Sequence, residues 1–402
     1  MKKPLIAHVV RTDGWAGTEQ ALASYIRHTG DRFDHVIVST SATNPDTKDR
    51  YGAPVVNLAS VYPEASDRQL IADLTETLHD LAPDTVCSWM QHCHHFAAKA
   101  VEKGGLDTGL VWYEHDTRIP AGNANHASQQ RFRENAAMSH HVPYRTLYCS
   151  EPVRDTHVAH GYSDEKSAVV PVGIDLGGMA FDAHKREELR NALGLKESDT
   201  VLGFVARYSK QKDFPAFIKL ARTVKAQCLE AYEPVPHFLV CGTGTGRDNA
   251  ELTAMLAEAG LADNVHLLGL RQDMQAVWTA LYANLSTSHY ETQGLACLEG
   301  MAAGYPFVGT DVGVHRHLVA DEARIFPPRP LDGDINEWDV APMAQAVRGI
   351  MNNLPHYRQV TADSHTIGDY DIREAATRFA DVMEVSVRHR APAPGQQSTL
   401  GR

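Results

Sequence analysis

The sequence predicts an α/β protein built on two doubly wound parallel sheets, and three observations carry that prediction. The chain has 402 residues, too many for one ordinary domain and enough for two. Short apolar runs alternate with amphipathic helical stretches along almost the whole length, the pattern of parallel strands covered by helices on both faces. The pattern also restarts after residue 199, so each half of the chain supplies strands of its own.

In the first half, strands are expected at Leu5–Val10, His35–Ser39, Val55–Asn57, Thr85–Ser88, Leu110–Glu114 and Thr146–Cys149. Helical stretches separate most of them, among them Glu19–His28, Arg68–Leu81 and His95–Glu102. The start, Met1-Lys-Lys-Pro-Leu-Ile-Ala-His-Val-Val-Arg11, imitates a signal peptide. Its apolar part is too short, and Arg11 and Asp13 interrupt it, so it reads as a buried first strand. The second set of strands is expected at Val201–Ala206, His237–Cys241, Val265–Leu268, Ala283–Thr287, Phe307–Thr310 and Arg324–Phe326. The join falls near Val169–Asp175, and the charged helix Lys185–Leu193 follows it. This gives an N-terminal domain over 1–175 and a C-terminal domain over 176–370. A last helix is expected within 371–390, at Asp371–Val385, and the Pro- and Gly-rich tail 391–402 reads as disordered. Ligands of such sheets bind at the carboxyl ends of the strands.

Composition narrows the function. Hydrophobic residues make up 43% and charged residues 22%, as in a soluble globular protein, and no run of 18 apolar residues is present. A net charge of −12 argues against nucleic acid as a partner. Arg131, Arg133 and Arg145 are the only hint of a patch for anionic lipid, so the expected location is the cytoplasm, with at most a peripheral contact at the inner membrane face. The six cysteines lie in apolar or helical contexts without paired spacing and read as reduced, buried thiols. His92-Cys-His-His95 looks like a metal cluster, but neighbouring residues on one element point different ways, so a polar loop is the expectation. Asp332-Gly-Asp334 imitates a metal-binding Asp-x-Asp in a proline-rich acidic loop that offers no ordered ligand scaffold.

The most informative stretch is His289-Tyr-Glu-Thr-Gln-Gly-Leu-Ala-Cys-Leu-Glu-Gly-Met-Ala-Ala-Gly-Tyr-Pro306. A strand-like run leads into it, Gly294 opens a helix-forming segment over Leu295–Ala303, and Gly304 and Pro306 end it. Glu291 therefore precedes a helix N-terminus, and Glu299 sits inside the helix and leans back toward the same end. Between the two carboxylates lie free amide groups at the positive end of a helix dipole. An anion flanked by hydroxyl groups fits there, and a nucleotide sugar has that order: ribose, diphosphate, hexose.

This segment resembles the Glu-x7-Glu signature of the retaining glycosyltransferases of family 4, and the similarity extends over most of residues 1–385. The resemblance implies the GT-B fold: two Rossmann-like domains facing a central cleft, with the last helix returning to the first domain. It implies transfer of a sugar from a nucleotide-diphosphate donor, a UDP-sugar foremost, to a hydroxyl acceptor, a saccharide or a lipid-linked saccharide. It also implies a metal-independent reaction without a cofactor. Arg207 and Lys212, in Ala206-Arg-Tyr-Ser-Lys-Gln-Lys-Asp213, match the family's Gly-Arg…Lys-Gly motif, whose cations hold the diphosphate. Lys210 is a nearby alternative. Glu291 would bind sugar hydroxyls and Glu299 the ribose, with the amides near Gln293, Gly294 and Leu295 on the phosphate. Leu270 and Arg271 would flank the nucleobase.

On the first domain, Asp13-Gly-Trp-Ala-Gly-Thr-Glu19 resembles the family's glycine loop, with Gly17 as its best single residue. His115, at the end of a strand in Glu114-His-Asp116, would reach the donor sugar or acceptor, with Glu114 and Asp116 as competing acids. Cys241-Gly-Thr-Gly-Thr-Gly246 is expected as a tight turn lining the cleft. The sequence departs from the family at Ala16, Ala206, Asp213, Thr292 and Gln293, and Thr310-Asp-Val-Gly-Val-His-Arg-His317 lacks the usual second Gly and a later Glu. Those changes bear on the donor's identity more than on the reaction. Competing readings are a same-fold nucleotide-sugar epimerase and a non-catalytic sugar-nucleotide-binding subunit. An NAD-dependent oxidoreductase is disfavoured because no Gly-x-Gly-x-x-Gly follows the first strand.

Overall fold

The computed structural model describes residues 2–13, 17–45, 48–61, 64–117, 119, 126–319, 321 and 324–389. The chain divides into two units, Met1–Gly173 with Ile372–Arg402 and Ile174–Asp371. The tail expected to be disordered lies outside the described residues, as do Trp15 and Ala16 of the glycine loop. Among the described residues no helix is long and apolar enough to cross a membrane.

The first unit holds a seven-stranded sheet among its described residues. Its strands are β1 (Leu5–Val10), β2 (Asp34–Ser39), β3 (Val55–Asn57), β4 (Thr85–Trp89), β5 (Gly109–Glu114), β6 (Arg145–Tyr148) and β7 (Ser167–Val169), in the order β3-β2-β1-β4-β5-β6-β7. Every pairing is parallel. β4 and β5 are buried along their whole length, which is why they read as apolar runs and not as alternating ones. β7 was not expected: its three half-buried residues, Ser-Ala-Val, carry no periodicity, and the sequence reading placed the domain join just there.

The helices of this unit close on the sheet by ordinary means. Helix Asp67–Leu81 buries Leu70, Leu74 and Leu78 on one stripe, each worth about 1.5–3 kcal/mol of apolar burial. Ser66 and Gln69 form a capping box at its start, and Ala82 ends it at φ 45°. The last helix, Ile372–Arg388, belongs to this unit. Phe379 stacks on Tyr25 at 4.7 Å, and Arg32 pairs with Asp381 and Glu384 at 2.9 and 2.7 Å. It crosses Gly109 so closely that a Cβ there would lie 2.4 Å from the Ser386 carbonyl oxygen.

His92–His95 is not the polar loop expected. These residues open the helix Gln91–Gly104, and His94 is buried, stacked on Trp112 at 5.1 Å, with Nδ1 against the Ser88 hydroxyl at 2.8 Å. Histidine tolerates such a site because it can stay neutral, and burial pushes His94 down to about 3.

A second buried histidine chain has its tautomers fixed by its partners. Trp89 donates to His8 Nδ1 at 3.1 Å, so His8 donates from Nε2 to His35 Nδ1 at 3.0 Å. His35 then donates to the Thr29 hydroxyl at 3.1 Å, which donates to the Tyr25 carbonyl at 2.7 Å. A proton added to either ring would oppose an existing donor. Burial holds His8 well below its ordinary value and His35 at about 4. The unfolded chain binds protons from about pH 6.5 downward while the folded chain does not, so stability falls as pH drops from 6.5 toward 4. Thermal melts across that window should show it. His35→Gln, which keeps one donor and one acceptor, should remove part of the slope, and an unchanged slope would contradict the assignment.

The second unit carries, among its described residues, a six-stranded sheet. Its strands are β8 (Val201–Val205), β9 (His237–Cys241), β10 (Val265–Gly269), β11 (Ala283–Ser286), β12 (Phe307–Thr310) and β13 (Ile325–Phe326), in the order β10-β9-β8-β11-β12-β13. All pairs are parallel. The strand order reverses between β8 and β11. Helices leave to opposite faces there, and a gap opens at the carboxyl ends of these two strands. The segments that leave those ends are Ala206–Asp213 and Thr287–Gly294.

Candidate active site

Two loops meet at that switch point and are stitched together through main chain and side chain. Gln211 donates from Nε2 to the Tyr290 carbonyl at 2.8 Å, and its own carbonyl accepts the His289 amide at 2.8 Å. The Thr287 hydroxyl reaches the carbonyls of Lys212 and Asp213 at 3.1 and 3.0 Å. Lys212 ends a short 3-10 turn, Lys210–Lys212, and its ammonium pairs directly with the Glu291 carboxylate. The Ser288 hydroxyl donates to the same carboxylate oxygen at 2.7 Å. Both charged groups are mostly buried, with 17% and 11% of their side chains exposed.

Asp213 explains one departure noted in the sequence. It sits at φ 49°, ψ 61°, a left-handed conformation that Gly, Asn and Asp adopt at least cost. Its carboxylate is buried and takes two parallel bonds from Arg329, at 2.9 and 2.8 Å, while His289 Nε2 lies at 3.2 Å. It also caps the helix Phe214–Glu230 through the Ala216 amide at 3.3 Å. Arg329 had no signal in the sequence, for it lies 116 residues away in a proline-rich loop.

Helix Leu295–Ala302 begins on Gly294 at φ 88°, with no side chain capping its first amides. Those groups have no acceptor within a helix and aim outward at the positive end of its dipole. Gly294 is required twice over: a side chain at that φ is strained, and a Cβ there would stand 2.3 Å from His315 Nε2. Lys212, Glu291, Gly294, Leu295 and His315 line one small recess over the end of β8 and β11. The structure thus brings together four of the residues expected from sequence and adds His315, which was missed.

The other expected residues fall around or away from it. Arg207 is exposed and donates to Gln211 Oε1 at 2.8 Å, beside the Glu291 loop. Gln293 is buried, and its carbonyl accepts the Val314 amide at 3.3 Å. Glu299 does not line the recess. It is partly exposed and accepts from the buried Trp278 indole at 3.2 Å, and burial pushes its carboxyl up to about 7. Arg271 and Glu299 both act electrostatically on Cys241 at the end of β9. The Gly242 turn packs directly on the Ala206 carbonyl, 2.2 Å from where a Cβ would stand. Lys210 instead faces Asp332 at 3.5 Å, both exposed. Among the described residues no group of three His, Cys, Asp or Glu side chains is arranged to hold a metal ion.

Gly17 and His115 belong to the first unit. Gly17 is the exposed first residue of helix Gly17–Thr29. His115 is buried against Tyr113 and Trp89, with ring centres at 4.3 and 5.3 Å, and burial pushes it down to about 3. Its Nε2 has no hydrogen-bond partner among the described residues. Glu114 accepts the amides of His115 and Asp116 at 2.9 and 3.0 Å, and burial raises it to about 7.

A family model described as glycosyl transferases group 1 matches residues 185–336, and one described as glycosyltransferase family 4 matches residues 15–177. Together they account for most of the chain. A lipopolysaccharide core biosynthesis mannosyltransferase, LpsB of Rhizobium meliloti, is 28% identical over 56% of this chain and 63% of that protein. A D-inositol 3-phosphate glycosyltransferase of Corynebacterium urealyticum is 31% identical over 41% of this chain and 40% of its own length. The chain therefore spans between about two fifths and three fifths of the curated relatives it matches. Among solved structures, HepE of Anabaena, crystallised in complex with UDP, superposes with a TM-score of 0.78 at 20% identity over 96% of this chain and 100% of its own. Sucrose-phosphate synthase of Thermosynechococcus elongatus does so with a TM-score of 0.75 at 15% identity, over 96% and 100%. At those identities the likeness is one of fold.

Proposed function

Because the chain belongs to the GT-B glycosyltransferases of the family 4 type, we propose that it moves a sugar from a UDP-sugar to a hydroxyl acceptor with retention of configuration. The observation that carries this reading is the meeting of Lys212, Glu291 and the uncapped helix start at Gly294 in one recess at the switch point of the second sheet. A departing nucleoside diphosphate gathers negative charge as the sugar leaves. An ammonium group and fixed amide dipoles already in place lower the cost of that charge without reorganising. Glu291 then serves the sugar hydroxyls and Glu299 the ribose. A departing phosphate oxygen accepts the acceptor's proton on the face it has just left, which gives retention. A UDP-linked donor is favoured because HepE was crystallised with UDP and with UDP-glucose. The names of the relatives favour glycan or glycoconjugate synthesis.

Thermal shift with UDP, GDP and dTDP tests the donor class: binding at 100 times Kd stabilises by about 2.7 kcal/mol, and UDP should give the largest shift. No shift with any of the three would overturn the reading. Glu299→Gln should weaken UDP-sugar binding about 10-fold or more, the size of one charge-assisted hydrogen bond. Unchanged affinity would remove Glu299 from the ribose.

A further inference from the structure

We infer that His315 is a diphosphate-binding residue that takes up a proton as the donor binds, an inference that rests on the donor reading above. The imidazole is 1% exposed and packs at a tilt against Phe307, with ring centres 4.7 Å apart. Its Nδ1 lies 2.8 Å from the Thr310 carbonyl. That oxygen only accepts, so Nδ1 carries the proton and Nε2 of the neutral ring presents a lone pair. Nε2 has no hydrogen-bond partner among the described residues. It points at Gly294, at the head of the uncapped helix, and the ring lines the same recess as Lys212 and Glu291.

A lone pair aimed at that point repels an anion. A proton on Nε2 turns it into a charge-assisted donor to a phosphate oxygen, in line with the helix amides. The groups that face the ring are Glu291 and Lys212 from the two loops, Asp311 from the end of β12, and the Thr310 carbonyl. Asp311 is already paired with Arg316 at 2.7 Å. Lys212 is paired with Glu291, so the two together offer the ring little net charge, and burial holds it below its ordinary value. A bound diphosphate adds negative charge at close range and raises it. One proton from solvent therefore ends on Nε2 for each donor bound, with no bond to the sugar made or broken.

The sign follows from linkage. The complex binds more protons than the free protein, so affinity falls as pH rises between the free and bound values of the ring. UDP-glucose is a suitable probe because its diphosphate is a diester with no proton to lose in this range. Calorimetric titration of the full chain with UDP-glucose from pH 6 to 8.5, in buffers of different ionisation enthalpy, reads proton uptake directly. The expected result is that the wild type takes up more protons than His315→Gln, by up to one, and that its affinity weakens relative to that variant by up to about tenfold per pH unit.

His315→Asn and His315→Gln should bind more weakly and lose that component. Any slope that remains is Glu299's, with the opposite sign, because its ionised form accepts better from a ribose. A wild type that takes up no more protons than His315→Gln, or a variant that keeps the wild-type pH slope, would overturn the role of His315 alone. No binding of UDP-glucose to the wild type at any pH would overturn the donor reading and this inference together.

Discussion

Replacing Lys212 by alanine is expected to lower turnover about 10²- to 10³-fold, the loss found when one preorganised donor to a developing anion is removed. The ammonium pairs with Glu291, so the substitution also leaves a mostly buried carboxylate without its cation. Donor affinity should fall as well, because the recess then presents a net negative charge to a diphosphate. Lys212→Arg keeps the charge but places a planar fork where a compact ammonium shares one Glu291 oxygen with the Ser288 hydroxyl, and should restore only part of the activity. Steady-state kinetics with a UDP-sugar decide the matter. A Lys212→Ala protein with turnover within a few-fold of wild type would put the leaving group elsewhere.

The second large effect is on stability. Asp213→Ala removes the carboxylate that holds the Arg329 fork and lies against His289. Removing one partner of a buried ion pair costs about 3–5 kcal/mol, because the other charge is left uncompensated. A residue without a side-chain acceptor must also hold φ 49° and leave the Ala216 amide uncapped. Set against a stability of about 5–15 kcal/mol for an ordinary domain, that is enough to lower the melting transition of the second unit sharply. Asp213→Asn tolerates the left-handed backbone and can still cap, so it should lose less. Removing Arg329 as well, as in Asp213→Ala with Arg329→Met, should recover part of the loss. If the single and double variants melt alike and close to wild type, the ion pair does not hold the Lys212 loop.

Much of the frame was readable in advance because buried parallel strands write themselves as apolar runs. Leu5–Val10, His237–Cys241 and Phe307–Thr310 occur as the sequence predicts. The edge strand Ser167–Val169 escaped because three half-buried residues give no period. His92–His95 misled because histidine looks polar on paper, whereas a neutral imidazole stacked on Trp112 behaves as a buried aromatic.

The site divides in the same way. Lys212, Glu291, Gly294 and Leu295 lie on two short segments whose local spacing is informative. Arg329, Trp278 and His315 act through contacts made only once the sheet has formed. The run Thr310–His317 did contain a signal for His315, a histidine just after a glycine-containing turn at a strand's carboxyl end, where the sequence reading looked instead for a glutamate. Glu299 was placed on the right helix; its carboxylate accepts from Trp278 and is not among the groups that line the recess.

The central claim is that the diphosphate sits on the first amides of helix Leu295–Ala302, and hydrogen exchange reads those amides directly. Exchange at Gly294, Leu295 and Ala296 should slow markedly when UDP is added to the wild-type chain, and the slowing should be lost in the Lys212→Ala protein. Bound UDP that leaves these three amides exchanging as they do in the free protein would contradict the account.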